Sequence, residues 1–275
     1  MKRVPFSQVL KNARIDIRRE YDRLYRMFCV NNIYGFKDNI ITMKDICAGH
    51  FTSFPFRGTC VSLDDFDDVY GYRFEEKPFD FNLDYLVSFC EYSYNLARNV
   101  PSDGLTTGLG ETIHFYLCQI KLVVEKIGYM ANLQGRVIDF VPKDQVAISV
   151  AEIVDTSLSY RVIEYNHHSM KGDLERKKGI LLALADKLEP LRDNLRHINT
   201  SLESDIFFLL NSVNLRHNNA DPSGVNYKPF VAKMTKEEIE QCYDDTYQLC
   251  LLAFLELDNL DRKDRVKQLK ANPKG

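Results

Sequence analysis

The sequence lacks the features that mark several large classes of protein. It has no tryptophan, and its seven cysteines are odd in number and contain no Cys-x-x-Cys pair, so neither a disulfide framework nor a zinc knuckle is predicted. No apolar run approaches the roughly 20 residues that span a bilayer, so we expect no membrane partner. The net charge of −3, from 36 basic and 39 acidic residues, provides no bulk positive field for nucleic acid.

Catalytic and targeting motifs are missing as well. The chain has no His-Glu-x-x-His, Gly-x-Ser-x-Gly, dinucleotide-binding or phosphate-loop pattern, so we predict neither a metal nor a cofactor. Charged residues recur throughout the N-terminal stretch, and no apolar segment of signal-peptide length follows them. We therefore expect a cytoplasmic protein.

The sequence does contain enough apolar residues for a core, and they recur with a helical period. Hydrophobic residues make up 45% and charged residues 27% of the chain, which is typical of a globular protein. Spacings of three and four between apolar residues indicate amphipathic helices. The pattern predicts helices over residues 7–28, 82–98, 111–132, 173–189, 200–215 and from 235 to about 257.

The N-terminal half interrupts this helical period. Residues 39–43 and 59–63 are short β-prone runs, and the acidic residues 64–68 are interpreted as a solvated loop. Residues 136–142 resemble a strand, whereas 144–154 and 157–168 fit either a helix or a strand.

These patterns predict a mainly α fold, a helical bundle with a small irregular or β-containing N-terminal insertion. We divide the chain into a mixed region of helices and short strands (1–155), a helical region (156–260) and a charged tail (261–275). The charged residues from 258 onward are expected to fray.

The C-terminal helices carry recognisable start and stop signals. Pro190 has no amide hydrogen and crowds the preceding turn, so it should kink or end the helix before it. Thr200 with Glu203, and Thr235 with Glu238, fit the capping-box pattern at the starts of two further helices.

A polar cluster lies where the helix that starts near residue 200 ends. Residues 211–219 read Asn-Ser-Val-Asn-Leu-Arg-His-Asn-Asn, beside an apolar stretch. One interpretation is a helix cap, in which Arg216 and His217 favour the negative end of the helix dipole and Asn218 adopts a left-handed conformation. The other is an anion site, in which Arg216 grips a phosphate and His217 titrates near neutral pH.

The order of a helix, an Arg-His-Asn loop and a capped helix over residues 200–258 resembles the terminal part of HEPN domains. The likeness is greatest to the HEPN-like modules of bacterial abortive-infection proteins. This resemblance implies an all-α, homodimeric protein of anti-phage defence or toxin type that cuts RNA without a metal ion. In the family motif, a histidine follows an arginine by a few residues.

The resemblance implies two arginine–histidine pairs as the candidate catalytic residues. Arg192 and His197 have the spacing of the family motif. Arg216 is followed directly by His217, and no further histidine stands at the motif distance. The neighbouring polar residues are candidate binding residues: Asn214, Asn218, Asn219 and Arg196.

The implied mechanism assigns separate roles to the two residue types. A histidine would take the proton of the 2′-hydroxyl or supply one to the leaving group. An arginine would hold the scissile phosphate and offset the developing charge. Arg161 with His167 or His168 also matches the motif spacing.

A second interpretation belongs to a different class of protein. The chain would be a non-catalytic helical interaction or sensor module that dimerises or binds a partner protein, as in a defence complex. The missing histidine after Arg216 favours this interpretation, whereas the polar residues 216–219 favour the RNA-directed, HEPN-like interpretation. Convergence of the candidate residues on one cleft favours catalysis, and their scatter over the surface favours binding.

Overall fold

The computed structural model of the protein describes residues 16–33, 40–101 and 107–271. The chain forms two compact units divided between Phe140 and Val141, earlier than the predicted boundary after residue 155. The helices of the first unit are α1 (Ile17–Tyr25), α2 (Met43–His50), α3 (Leu63–Tyr70), α4 (Leu83–Arg98) and α5 (Thr107–Lys126). Strands β1 (Tyr129–Gln134) and β2 (Val137–Pro142) form a two-stranded antiparallel sheet. The mainly α fold with a small β-containing part is therefore confirmed.

The core of the first unit is built from aromatic side chains around α4. Tyr21 of α1 and Phe89 of α4 are fully buried and meet edge to face, with ring centroids 5.1 Å apart. Phe28 stacks on Tyr116 of α5 at 5.5 Å. Aromatic rings bury large apolar areas and add favourable ring–ring electrostatics. Phe28 lies in the π-helical turn Arg26–Val30 that follows α1 and also contacts Phe89 at 6.2 Å, so these rings join α1, α4 and α5.

The sheet is attached to α4 through a side-chain amide. Asn95 donates to the carbonyl of Ile138 at 2.7 Å and accepts the Ile138 amide hydrogen bond at 2.8 Å. Gly135 forms the hairpin turn with a φ of 59°, a left-handed conformation that favours glycine. The strand predicted at 136–142 is confirmed, whereas the helix predicted over 111–132 ends at Lys126, since residues 129–134 pair with β2.

The described part of the irregular region contains helices in place of the predicted short strands and acidic loop. Thr42 and Asp45 form a capping box at the start of α2, with hydrogen bonds of 3.2 and 2.8 Å. Ser62 caps α3, which contains the acidic residues 64–68 and ends at Gly71 with a φ of 73°. The prediction of strands near 39–43 and 59–63 is wrong, and so is the prediction of a loop at 64–68. Capping residues, rather than β propensity, decide the local structure here. Residue 39 and residues 7–15 of the first predicted helix lie outside the described residues.

The second unit consists of helices in its described part. They are α6 (Gln145–Ile153), α7 (Thr156–Glu164), α8 (Leu174–Leu188), α9 (Arg192–Ile198), α10 (Thr200–Ser212) and α11 (Lys236–Ala271). Both stretches that fitted either helix or strand are helices, capped by the side chains of Asp144 and Asp155. α11 packs against α6, α8 and α10 through buried residues that include Tyr247 and Leu251.

Most of the predicted helix boundaries in this unit hold. Pro190 ends α8 and lies in a single 3₁₀ turn (Glu189–Leu191) before α9. Thr235 and Glu238 form the predicted capping box, with hydrogen bonds of 2.8 and 3.2 Å. The capping box predicted at Thr200 is wrong: Asn199 caps α10 through the Leu202 amide, and the Glu203 carboxylate is held by arginines.

Helix α11 extends further than the sequence predicts. It continues to Ala271, so residues 258–271 are helical and the prediction that they fray is wrong. Every side chain described from residue 262 to 271 is exposed. In the described ranges, no helix has both the length and the apolar character that a bilayer crossing needs.

Candidate functional site

Three of the predicted arginines meet around two glutamates. Glu203 of α10 accepts hydrogen bonds from Nε of Arg192 at 2.5 Å and from Nη2 of Arg196 at 2.9 Å. Glu189 accepts from Nη2 of Arg216 at 2.5 Å and lies 3.7 Å from Nη1 of Arg192. Arginines from α9 and from the loop after α10 therefore share one ion-pair cluster, which we call the arginine–glutamate cluster.

A buried aromatic ring underlies this cluster. The guanidinium carbons of Arg192 and Arg216 lie 4.1 and 5.6 Å from the ring centroid of Phe207. Phe207 is itself buried on α10. Cations within about 6 Å of an aromatic face are attracted by the ring quadrupole. The ring thus holds two of the candidate catalytic arginines at one place.

Glu203 is the electrostatic centre of the cluster, with a side chain only 5% exposed. The pKa of Glu203 lies below its usual range, chiefly because of the hydrogen bond from Arg196. Burial acts in the opposite direction, and Arg192 lowers the pKa further. The same bond raises the pKa of Arg196. Arg196 also pairs with Asp193 at 3.1 Å. The three guanidinium groups are thus paired with three carboxylates, those of Glu189, Asp193 and Glu203. These carboxylates offset the positive charge that a phosphate would meet.

The candidate histidines lie outside this cluster. His197, near the end of α9, and His217, after Arg216, are both exposed, and neither ring takes part in the ion pairs. Asn218 is exposed as well. The structure therefore brings the arginines together without assembling either predicted arginine–histidine pair on the Phe207 platform.

Two of the candidate binding residues are engaged in holding their own loop. Asn214 has a φ of 61°, a left-handed conformation that asparagine adopts more readily than most residues. Its amide donates to Oδ1 of Asn219 at 3.0 Å, and the Asn219 amide donates to Oδ1 of Asn214 at 2.7 Å. The fully buried Asn219 side chain also donates to the carbonyls of Asn211 and Asn226. The left-handed cap predicted at Asn218 is thus found at Asn214.

The remaining match to the motif spacing is Arg161 with His167 or His168, and its two histidines lie in a local turn. His167 caps the 3₁₀ turn His168–Met170, and its Nδ1 lies 2.7 Å from the Ser169 hydroxyl. Arg176 of α8 reaches this turn, with Nη1 donating to the same hydroxyl at 3.1 Å. Arg161 is exposed on α7.

A buried lysine is a polar centre that the sequence analysis missed. Lys177 of α8 is 6% exposed, and its Nζ donates to Glu240 at 2.7 Å and to Asp244 at 2.6 Å. It also lies 5.3 Å from the ring centroid of Tyr165. Lys177 falls on the apolar face of α8, three and four residues before Ile180 and Leu181, and a charge at that position was a signal for a buried ion pair.

A second missed feature is a cavity of about 280 Å³ in the first unit, lined by aromatic rings and two carboxylates. Its walls come from α3, α4 and β2 and from the loops flanking α3. Phe66, Tyr70 and Tyr72 form part of its wall, and the four-residue spacing of the first two was a helical signal that the sequence analysis missed. Of the two helices that frame the cavity, α4 was predicted, whereas α3 lies in the region for which the sequence predicted short strands and an acidic loop.

No protein-family model matches the chain, and comparisons with curated proteins and with solved structures give no significant match either. The geometry of the two units therefore carries the functional argument.

Proposed function

We propose that the protein is a non-catalytic helical interaction module that self-associates through α11. The observation that carries this proposal is the exposed C-terminal end of α11. Its apolar side chains there include Val266, 46% exposed, and Leu269, 72% exposed. A helix with this much unpacked surface gains most of its stability from packing against a partner.

A matching apolar surface lies on the same unit. Phe208 of α10 is 56% exposed, and Leu252 of α11 is 43% exposed. Phe208 and Leu249 line a groove of about 460 Å³ between α10 and α11. A helix rises about 1.5 Å per residue, so the groove and the exposed pair at 266 and 269 lie about 25 Å apart along α11. The exposed pair at 266 and 269 of one copy therefore packs into the groove of a second copy.

Charge selects a second copy, in antiparallel orientation, as the occupant. Residues 236–258 of α11 contain seven acidic residues and one basic residue, whereas residues 259–271 contain five basic and two acidic residues. Asp205 and Asp245 line the groove. Two antiparallel copies of α11 place the basic end of each against the acidic groove of the other, with two-fold symmetry.

Charge reversal at each end of this contact tests the proposal. Asp205→Lys/Asp245→Lys and Lys263→Glu/Lys270→Glu should each weaken the dimer, because each places like charges in contact. The variant with all four substitutions should restore it. The measurement is sedimentation equilibrium at low ionic strength, with circular dichroism to verify the fold.

Lys267→Glu is the matched control for the basic end. Position 267 lies about 100° around the helix from Val266 and about 160° from Leu269, so reversal of its charge should leave the dimer intact. A wild-type protein that remains monomeric at 100 μM, or a four-fold variant that stays as weak as its parents, contradicts the proposed interface.

RNA cleavage by a HEPN-like module of the defence or toxin type is the second candidate, and one observation favours it. Arg192 and Arg216 share Glu189 and the Phe207 platform, so an RNA phosphate that displaces the glutamates would meet two guanidinium groups at once. The exposed His197 and His217 would supply the proton transfers.

The two candidates are separated by a nuclease assay. Purified protein is incubated with total RNA, with and without a chelator. Cleavage that survives the chelator and is lost in Arg192→Ala/His197→Ala and in Arg216→Ala/His217→Ala, but not in Arg265→Ala, supports the catalytic candidate. Intact RNA throughout favours the interaction module.

A further inference from the structure

The cavity in the first unit is surrounded by aromatic side chains. Five rings line it: Phe56, Phe66, Tyr70, Tyr72 and Tyr92. They form a continuous set, since Phe66 stacks on Tyr72 at 5.6 Å with ring planes 15° apart, and Tyr72 contacts Tyr92 at 5.1 Å. Tyr70 contacts Phe66 at 4.7 Å. The volume of about 280 Å³ lies near the lower end of the range for small-molecule sites.

Two carboxylates lie among these rings. Glu91 of α4 and Asp139 of β2 line the cavity, and both side chains are half-buried. The pKa of Tyr72 is raised, first by burial and then by the charges of Glu91, Asp139 and Asp67. The negative charges of Glu91 and Asp139 therefore both oppose a further negative charge at this ring.

The walls of the cavity are held in place by hydrogen bonds. Oε1 of Glu91 accepts from the Phe140 amide at 2.6 Å, and Asn95 clamps the backbone of Ile138 beside Asp139. These bonds fix β2 against α4. A preformed cavity loses little conformational entropy when a ligand enters it.

A lysine already makes a cation–aromatic contact with one of these rings. Nζ of Lys44 lies 6.0 Å from the ring centroid of Tyr92 and pairs with the buried Asp67 at 2.8 Å. The Tyr92 hydroxyl donates to both Asp67 oxygens, at 2.8 and 2.9 Å. Lys44 and Asp67 do not line the cavity. The carboxylates that line it are Glu91 and Asp139.

From this arrangement we infer that the cavity binds a small alkylated ammonium ion, through the aromatic rings and the carboxylates of Glu91 and Asp139. Ring faces attract cations, and they do so most strongly for cations that are weakly hydrated. Alkylated ammonium groups offer apolar methyl groups to the rings and a diffuse charge to the carboxylates. A neutral ligand of the same shape keeps the apolar contact and loses the electrostatic attraction.

Isothermal titration calorimetry with choline chloride tests this inference, with 3,3-dimethyl-1-butanol as the neutral molecule of the same shape. We expect choline to bind at least fivefold more tightly than the alcohol. Asp139→Asn, Glu91→Gln and Tyr70→Leu should each weaken choline binding by roughly threefold to thirtyfold. The first two keep the side-chain shape, and Tyr70 is 56% exposed, so the fold should survive all three.

Asp68→Asn is the matched control, because it removes an exposed carboxylate from α3 that does not line the cavity. Choline binding should be unchanged in this variant. Thermal unfolding of each variant verifies that the first unit is intact. Equal affinity for choline and the alcohol, no binding of choline, or choline binding that Asp139→Asn and Tyr70→Leu leave unchanged would each overturn the inference.

Discussion

Replacement of Glu203 by glutamine tests whether the arginine–glutamate cluster is a structural feature. The substitution keeps the side-chain shape and one acceptor oxygen, but it removes the charge that Arg192 and Arg196 share. Hydrogen bonds to charged groups contribute about 1.5–3 kcal/mol each. The two arginine side chains are 37% and 46% exposed, so hydration recovers part of the loss. We expect the free energy of unfolding to fall by about 1–2 kcal/mol at pH 7.

The same substitution predicts a dependence on pH. The pKa of Glu203 is lowered in the folded protein, so its stabilising contribution is present above the unfolded pKa of about 4.3. That contribution is lost as the pH falls through the lower folded-state pKa. The stability difference between wild type and Glu203→Gln should therefore shrink in acid below about pH 4.

Urea unfolding followed by circular dichroism measures both effects, at pH 7 and at pH 3.5. Asp193→Asn is the control, because Asp193 pairs with the same Arg196 but its side chain is 94% exposed. That variant should stay within about 0.5 kcal/mol of wild type. A Glu203→Gln protein as stable as this control at pH 7, or a difference that persists unchanged at pH 3.5, would refute the reasoning.

Three further perturbations follow from the described contacts. Asn219→Ala removes three side-chain hydrogen bonds and should cost about 3 kcal/mol of unfolding free energy, measured by urea denaturation. Lys177→Met leaves Glu240 and Asp244 without their shared cation and should cost about 2–3 kcal/mol, measured in the same way. Burial raises the pKa of the Cys47, Cys90 and Cys250 thiols, so these should react with a disulfide reagent only after unfolding.

Each of these has an internal comparison. Asn218→Ala alters an exposed neighbour of Asn219 and should be neutral; equal losses for the two variants would argue against the proposed loop clamp. Lys178→Met replaces the neighbouring, half-buried lysine, and comparable effects of the two substitutions would mean that the buried ion pair contributes little. Full titration of all seven cysteines in native protein would contradict their burial.

The local signals in the sequence predicted much of the helical framework. Pro190, Asn82 and the pair Thr235–Glu238 act as expected, because their effects depend on backbone sterics and on hydrogen bonds within one turn. The errors in the region 40–81 arose where aspartates depressed the apparent helix propensity of α3. The caps at both its ends were visible in the sequence, but the burial of Asp67 depends on Lys44 and Tyr92, which lie far away in the chain.

Periodicity, caps and composition act over short distances, so the sequence alone predicts a mainly α protein, whereas the family resemblance and the polar stretch 211–219 drew attention to the arginines 192, 196 and 216. What surrounds those arginines depends on the tertiary packing. Glu203 and Phe207 reach them through packing of α9 on α10, and Glu189 pairs with Arg216, which lies 27 residues further along the chain, so no local spacing encodes these contacts. The aromatic cavity likewise exists only because α3, α4 and β2 meet. Long-range packing determines which charges neutralise one another and which cavities remain open, because side chains distant along the chain become neighbours only in the folded state.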